Sequence, residues 1–209
     1  MVSPVSRALD FDRIASNIAI WHGYNSAVKT ELYSTCLITS DGSYFIDPIP
    51  LRSEALDELA DSSCVAGVIV TNSNHHRASA RFAEQFSASI FGHGETFPHN
   101  SSREFRKVAD ADKICEGLTV IGIEGAAEDE IALHYAPDGG TFVIGDALVN
   151  FEPYGFTLLP GKYCSNQKEM RRSLRKLLDH KAKRILFAHG TPILSGASER
   201  LRALLDSDL

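Results

Sequence analysis

Three places in this chain put histidine or aspartate directly after an apolar, strand-like run. Val70-Thr71-Asn72-Ser73-Asn74-His75-His76-Arg77 leaves the run Ala66–Thr71. Gly145-Asp146 leaves Thr141–Ile144, and Ala188-His189-Gly190 leaves Arg184–Phe187. Polar side chains at the C-terminal ends of strands are where α/β folds commonly do chemistry. Two imidazoles and a carboxylate suit zinc or iron and leave a coordination position open for water. Such an ion lowers the pKa of water enough to make it a nucleophile near neutral pH. Other chemistries lack their signatures. The chain has no G-x-G-x-x-G, no G-x-x-x-x-G-K-[ST] and no G-x-S-x-G, which removes the usual marks of dinucleotide binding, P-loop chemistry and the serine elbow.

The elements that must position these residues show in the hydrophobic pattern. Strand-like runs are Ile18–Trp21, Thr35–Thr39, Ser43–Ile46, Ala66–Thr71, Ala88–Phe91, Leu118–Ile123, Glu130–Tyr135, Thr141–Ile144 and Arg184–Phe187. Asp41-Gly42 is expected to turn one hairpin and Pro137-Asp138-Gly139-Gly140 a second. Helical patterns fall at Glu54–Ala60, Arg77–Phe86 and Ser198–Leu205. The clearest helix begins at Asn166, with Glu169 three residues on as a capping box and Met170, Leu174, Leu177 and Leu178 on one face. Strands and helices in this order predict two sheets covered by helices in one domain spanning residues 1–209. The stretch Gly92–Cys115 reads as irregular, either a loop over a site or a surface excursion, and His134 reads as a solvent-facing strand residue.

Composition narrows the partners. A net charge of −6 argues against nucleic acid. The basic run Lys168–Arg184 is expected to be the solvated face of a helix. No apolar run approaches membrane-spanning length, and the first residues carry no secretory pattern. Cys36, Cys64, Cys115 and Cys164 form no C-x-x-C pair and read as buried or half-buried thiols of a cytoplasmic protein. A small-molecule substrate or ligand is the expected partner; oligomeric state is open.

Taken together, these segments resemble the metallo-β-lactamase superfamily over roughly residues 18–195. The resemblance is carried by the hairpin Cys36-Leu37-Ile38 … Tyr44-Phe45-Ile46-Asp47-Pro48 and the loop after Val68-Ile69-Val70-Thr71. It continues in Glu130–Leu133 with Gly139–Asp146, and ends at Leu186-Phe187-Ala188-His189-Gly190-Thr191-Pro192. It implies an α/β (α+β) fold, a four-layer αββα sandwich, and a metal-dependent hydrolase. Against the family's Thr-His-x-His-x-Asp-His, aligned on Thr71, the first two ligand histidines become Asn72 and Asn74. The ligand aspartate becomes His76, and the histidine after it becomes Arg77. The middle ligand histidine has no counterpart in Gly122–Asp129; Glu124, Glu128 or Asp129 could supply a carboxylate there. Only Asp146 and His189 match outright.

Asparagine amides bind transition metals poorly beside imidazole, so one of the family's two metal positions is expected to be lost. The other could hold one zinc or iron on His76, Asp146 and His189. A slip of one residue would turn His75 inward instead. Asn72, Asn74, His75 and Arg77 would line the same pocket. The alternative is a non-catalytic member whose site is closed by an Arg77–Asp146 pair, acting as an anion-binding, small-molecule-binding or interaction protein. His22 and His93 are further candidates for its rim.

Overall fold

The computed structural model describes residues 5–61, 64–94 and 104–207. The first sheet has seven strands in chain order. They are β1 (Asp12–Ala15), β2 (Ile18–Asn25), β3 (Thr30–Thr39), β4 (Gly42–Ile46), β5 (Val65–Ile69), β6 (Ser89–Gly92) and β7 (Phe105–Lys107). Helix α1 (Ser53–Asp61) joins β4 to β5, and α2 (Ser79–Phe86) joins β5 to β6. The second sheet runs in the order β14-β11-β10-β9-β8. Its strands are β8 (Lys113–Cys115), β9 (Leu118–Gly122), β10 (Ile131–Tyr135), β11 (Thr141–Ile144) and β14 (Arg184–Phe187). A separate hairpin, β12 (Leu148–Phe151) with β13 (Gly155–Leu158), follows β11. Helices α3 (Gln167–Leu174) and α4 (Ala197–Asp206) flank β14 in sequence.

Three apolar clusters define four layers. Alternate residues of the first sheet, Trp21, Phe45, Val68 and Ile90, bury against Leu56 and Leu59 of α1 and Phe82 of α2. The opposite face, Ile18, Ile20, Leu37, Ile46 and Ile69, meets Leu118, Val120, Leu133, Val143 and Leu186 of the second sheet. That sheet's far side, Ala132, Phe142, Ile144 and Ile185, packs on Met170, Leu174, Leu201 and Leu205. Period-two burial on both faces of each sheet makes this an αββα sandwich. Among the described residues no helix is long and apolar enough to cross a membrane.

Several local expectations shift. The ladder of β3 and β4 pairs Thr39 with Gly42, so Ser40-Asp41 makes the turn and Gly42 already belongs to the strand. Gly42 has φ +125°, and a Cβ there would lie 2.3 Å from the Cys64 carbonyl oxygen. Gly92–Cys115 contributes two strands rather than only a loop, with 95–103 outside the described residues. The helix from Asn166 is capped as expected, Asn166 Oδ1 accepting from the Glu169 N–H at 3.2 Å, but tightens to a 3-10 turn over Arg175–Asp179. Two arginines of the basic run, Arg171 and Arg175, bind carbonyls at the end of α4. All four cysteines are free, and Cys64 is exposed rather than buried.

His134 is buried, not solvent-facing: its ring lies 4.6 Å from that of His180, and its Nε2–H donates to the Lys181 carbonyl at 3.0 Å. Burial pushes its pKa below 6.5 against the pull of that carbonyl, and nearby His180 adds to the fall. The unfolded chain therefore takes up this proton first as pH drops. The stability that His134 contributes is fully present above about pH 6.5 and is lost below it. Thermal unfolding between about pH 7 and 5 should show a drop in Tm that is shallower in His134→Gln; equal slopes would contradict this.

Candidate metal centre

Strands β4 and β5 are parallel, and so are β11 and β14, so each pair ends on one edge. The two sheets are stitched together at that edge. The Ile131 N–H donates to the Thr71 carbonyl at 2.8 Å, and the Tyr33 N–H donates to the Ala188 carbonyl at 2.9 Å. The four strand ends deliver Asp47, Thr71–His75, Asp146 and His189 to one place.

The loop after β5 decides which histidine turns inward. Asn72 closes a tight turn twice over: its Oδ1 accepts from the Asn74 N–H at 2.9 Å, and its carbonyl accepts from the His75 N–H at 3.0 Å. Asparagine favours such side-chain-closed turns. The chain therefore folds back one residue earlier than a gapless alignment implies, and His75 points between the sheets. His76 is half-buried, and its carbonyl accepts from the Ser79 N–H at 2.8 Å at the entrance to α2. The group that converges is thus His75, Asp146 and His189, whose ligating atoms lie within 4.8 Å of one another. Asn74 is exposed.

Asp146 sits at the centre. His75 Nε2 and His189 Nε2 each lie 3.2 Å from Asp146 Oδ1, while Asn72 Nδ2 donates to its Oδ2 at 3.2 Å. Behind His75 lies a fully buried support. His75 Nδ1 is 2.9 Å from both Asp47 Oδ2 and Thr71 Oγ1. Asp47 also accepts from the Thr71 N–H at 2.9 Å and from its hydroxyl at 2.6 Å. Glu130 lies beside them, accepting from Asn72 Nδ2 at 2.6 Å and from the Ala147 N–H at 3.0 Å. Gly145 is what lets these groups crowd together. A Cβ there would lie 2.6 Å from both Glu130 Oε1 and Thr71 Oγ1, a collision no L side chain escapes.

Arg77 has φ +39° and turns its guanidinium to the backbone. Nη1 donates to the Tyr33 carbonyl at 2.6 Å and the Asp47 carbonyl at 3.0 Å, and Nη2 to the Ala188 carbonyl at 3.4 Å. Among the described residues the ion pairs of Asp146 run to His75 and His189. The expected Arg77–Asp146 pair is therefore replaced by a clamp on the middle of β3 and the ends of β4 and β14, whose carbonyls take up the fork. Glu124 instead binds Ser173 and Lys176. The carbonyl of Glu128 accepts from the Ser73 N–H at 3.1 Å. His93 Nδ1 contacts the Val108 carbonyl at 2.8 Å.

Charge follows geometry. Burial and the Arg77 charge press the His75 pKa down, yet Asp47 and Asp146 outweigh both and lift it to about 9. Burial works against ionised Asp146, but the two histidines hold its pKa below the usual carboxylate range. Asp47 is likewise lowered, His75, Arg77 and Thr71 overcoming its burial. Burial and then the Asp146 charge raise Glu130 to about 8, and burial lowers His189. At neutral pH the cluster holds His75⁺ and Arg77⁺ against Asp47⁻ and Asp146⁻, with Glu130 and His189 neutral.

This arrangement fits a divalent cation. Two imidazole nitrogens face one carboxylate oxygen, and a carboxylate behind His75 Nδ1 is the support that metal-bound histidines commonly have. Entry of the ion would displace the His75 proton, and ionisation of Glu130 would restore neutrality.

A sequence model described as metallo-beta-lactamase superfamily matches residues 13–208. The chain belongs to that superfamily. Solved structures share its fold at low identity. A metallo-beta-lactamase family protein from Thermus thermophilus matches at TM-score 0.64 and 17% identity, covering 92% of this chain and 79% of that one. An archaeal superfamily protein from Sulfolobus tokodaii matches at TM-score 0.61 and 12% identity, covering 85% and 81%. An N-acyl homoserine lactone hydrolase, solved with N-hexanoyl-L-homoserine at its catalytic metal centre, matches at TM-score 0.54 and 11% identity, covering 88% and 89%. No curated protein matches.

Sequence reasoning missed three members of the site. Asp47 stood in the quoted Ile-Asp-Pro turn, where an aspartate at a strand end was the available signal. Thr71 served only to anchor the alignment. Glu130 looked like a strand residue, and no local signal marked its carboxyl as buried.

Proposed function

We propose that this member of the superfamily is a hydrolase working with one zinc or iron ion held by His75, Asp146 and His189. It would act in the cytoplasm on a small-molecule ester, thioester, amide or phosphodiester. The observation that carries the reading is the convergence of three donors on one point with Asp47 behind His75. The fold shared with a lactone hydrolase points the same way.

When bound, the ion would supply Lewis acidity enough to make a nucleophile of water near neutral pH. The chain's own residues prepare the place. Asp47 keeps the proton of His75 on Nδ1 and so directs Nε2 inward. Asn72 joins the carboxylates of Asp146 and Glu130 through one amide nitrogen, which fixes the Asp146 rotamer. An asparagine amide is a poor transition-metal ligand beside imidazole, which supports a mononuclear reading.

Zinc titrated calorimetrically into metal-stripped protein is expected to bind one ion per chain. Asp146→Ala should abolish that binding while circular dichroism keeps the fold. No binding by the parent protein, or equal binding by Asp146→Ala, would sink the proposal.

A further inference from the structure

Beyond the metal ligands, the inner face of the first sheet continues past the core into open space. On β2 that face carries Ile18 and Ile20, both packed between the sheets, and then His22 and Tyr24. Leu32 on β3 packs on the helix side, so Tyr33 and Glu31 share the inner face with His22. The Tyr33 backbone borders the candidate centre. Its N–H donates to the carbonyl of Ala188, the neighbour of His189, at 2.9 Å, and its carbonyl accepts from Arg77 at 2.6 Å. His22 stacks on Tyr33, with ring centroids 5.0 Å apart and planes 19° apart, and His22 Nδ1 lies 3.0 Å from Glu31 Oε2. The side chains of His22 and Glu31 are 50% and 47% exposed, so the pair is open to a ligand rather than part of the core.

A histidine oriented by a carboxylate through Nδ1, braced by an aromatic ring and, among the described residues, with no hydrogen bond at Nε2, is built for proton transfer. We propose that His22 is the catalytic proton donor to the leaving group, with Glu31 as its positioning residue. The inference rests on the hydrolase reading above. In an ester, water oxygen bonds to the acyl carbon and the bond from that carbon to the leaving oxygen breaks. Its electron pair goes to the leaving oxygen, which takes the Nε2 proton of His22. The proton released by the water returns to His22 through solvent, so ester and water become acid and alcohol.

The dependence on leaving group tests this. Nitrophenolate departs near neutral pH without a proton, whereas an alkoxide does not. For zinc-loaded protein, His22→Gln should cut kcat/KM for ethyl butyrate by about a hundredfold and leave 4-nitrophenyl butyrate within a fewfold. Glu31→Gln should show the same split more weakly, and zinc binding by His22→Gln should be unchanged. Equal losses on both esters, no loss on ethyl butyrate, or lost zinc binding would overturn the role of His22. No hydrolysis of either ester by a parent protein that binds zinc would overturn the role of His22 alone, whereas a parent protein that binds no zinc would overturn the hydrolase reading, which separates the two failures.

Discussion

Asp47→Ala should lower the free energy of unfolding by about 3–5 kcal/mol, the typical cost of removing one member of a buried charged pair. Asp47 is 2% exposed and accepts from three groups, the Thr71 N–H, the Thr71 hydroxyl and His75 Nδ1. Its loss leaves a buried imidazolium with only the Thr71 hydroxyl at Nδ1 and strips a backbone N–H of its partner. The methyl group of alanine offers nothing in return. Asp47→Asn separates stability from site chemistry. The amide retains an acceptor for the Thr71 N–H but presents a donor to His75, so His75 must give up its Nδ1 proton and keep the one on Nε2. The asparagine protein should then unfold at higher urea concentration than the alanine protein, yet bind zinc far more weakly than the parent. Changing the group that orients a metal-bound histidine commonly costs about 10–100-fold in metal affinity. Unaltered affinity in Asp47→Asn would show that Asp47 does not set the His75 tautomer.

The contrast between Asp47 and the ligand loop shows what a sequence discloses and what it hides. Strand runs, the Gly145-Asp146 end and the Ala188-His189-Gly190 end were legible because apolar periodicity and a glycine beside a polar residue are local signals. The sandwich followed from their order. The identity of the inward histidine was not legible, since it depends on Asn72 closing a turn with both its side chain and its carbonyl. That closure is a three-dimensional event, and a gapless alignment steps past it. Glu130 was hidden for another reason. Its partners, Asn72 and Ala147, come from the ends of two different strands, and nothing near Glu130 in the chain announces them. The tight hairpin at Thr39–Gly42 turns one residue earlier than its Asp-Gly pair suggests, because a glycine serves a turn and a crowded strand equally well. Here crowding by Cys64 decides the matter.

Arg77 gives the sharpest case, and the second large effect. A cationic residue beside an aspartate invited an ion pair, yet its hydrogen bonds run to carbonyls at positions 33, 47 and 188. One planar fork thus ties β3, the end of β4 and the end of β14 together, and its charge also acts on Asp47 and Asp146. The backbone conformation agrees: Arg77 stands at φ +39°, a region arginine visits only when other contacts compensate. Arg77→Met keeps the length of the side chain and deletes the donors. Three carbonyls then lose a charged partner, each worth about 1–3 kcal/mol when left unmet. These terms do not add fully, because water can reach a part-buried site, and the expected loss is about 3 kcal/mol. Arg77→Lys should recover only part of it, since one ammonium cannot reproduce the spacing of a guanidinium fork. Urea unfolding of the three proteins measures the order parent, lysine, methionine. A lysine protein as stable as the parent would mean that charge alone, and not the fork across three strands, is what Arg77 supplies. The same series carries a consequence for the site. His189 follows Ala188 directly, so release of the Ala188 carbonyl should loosen His189 and weaken zinc binding in Arg77→Met even where the protein remains folded.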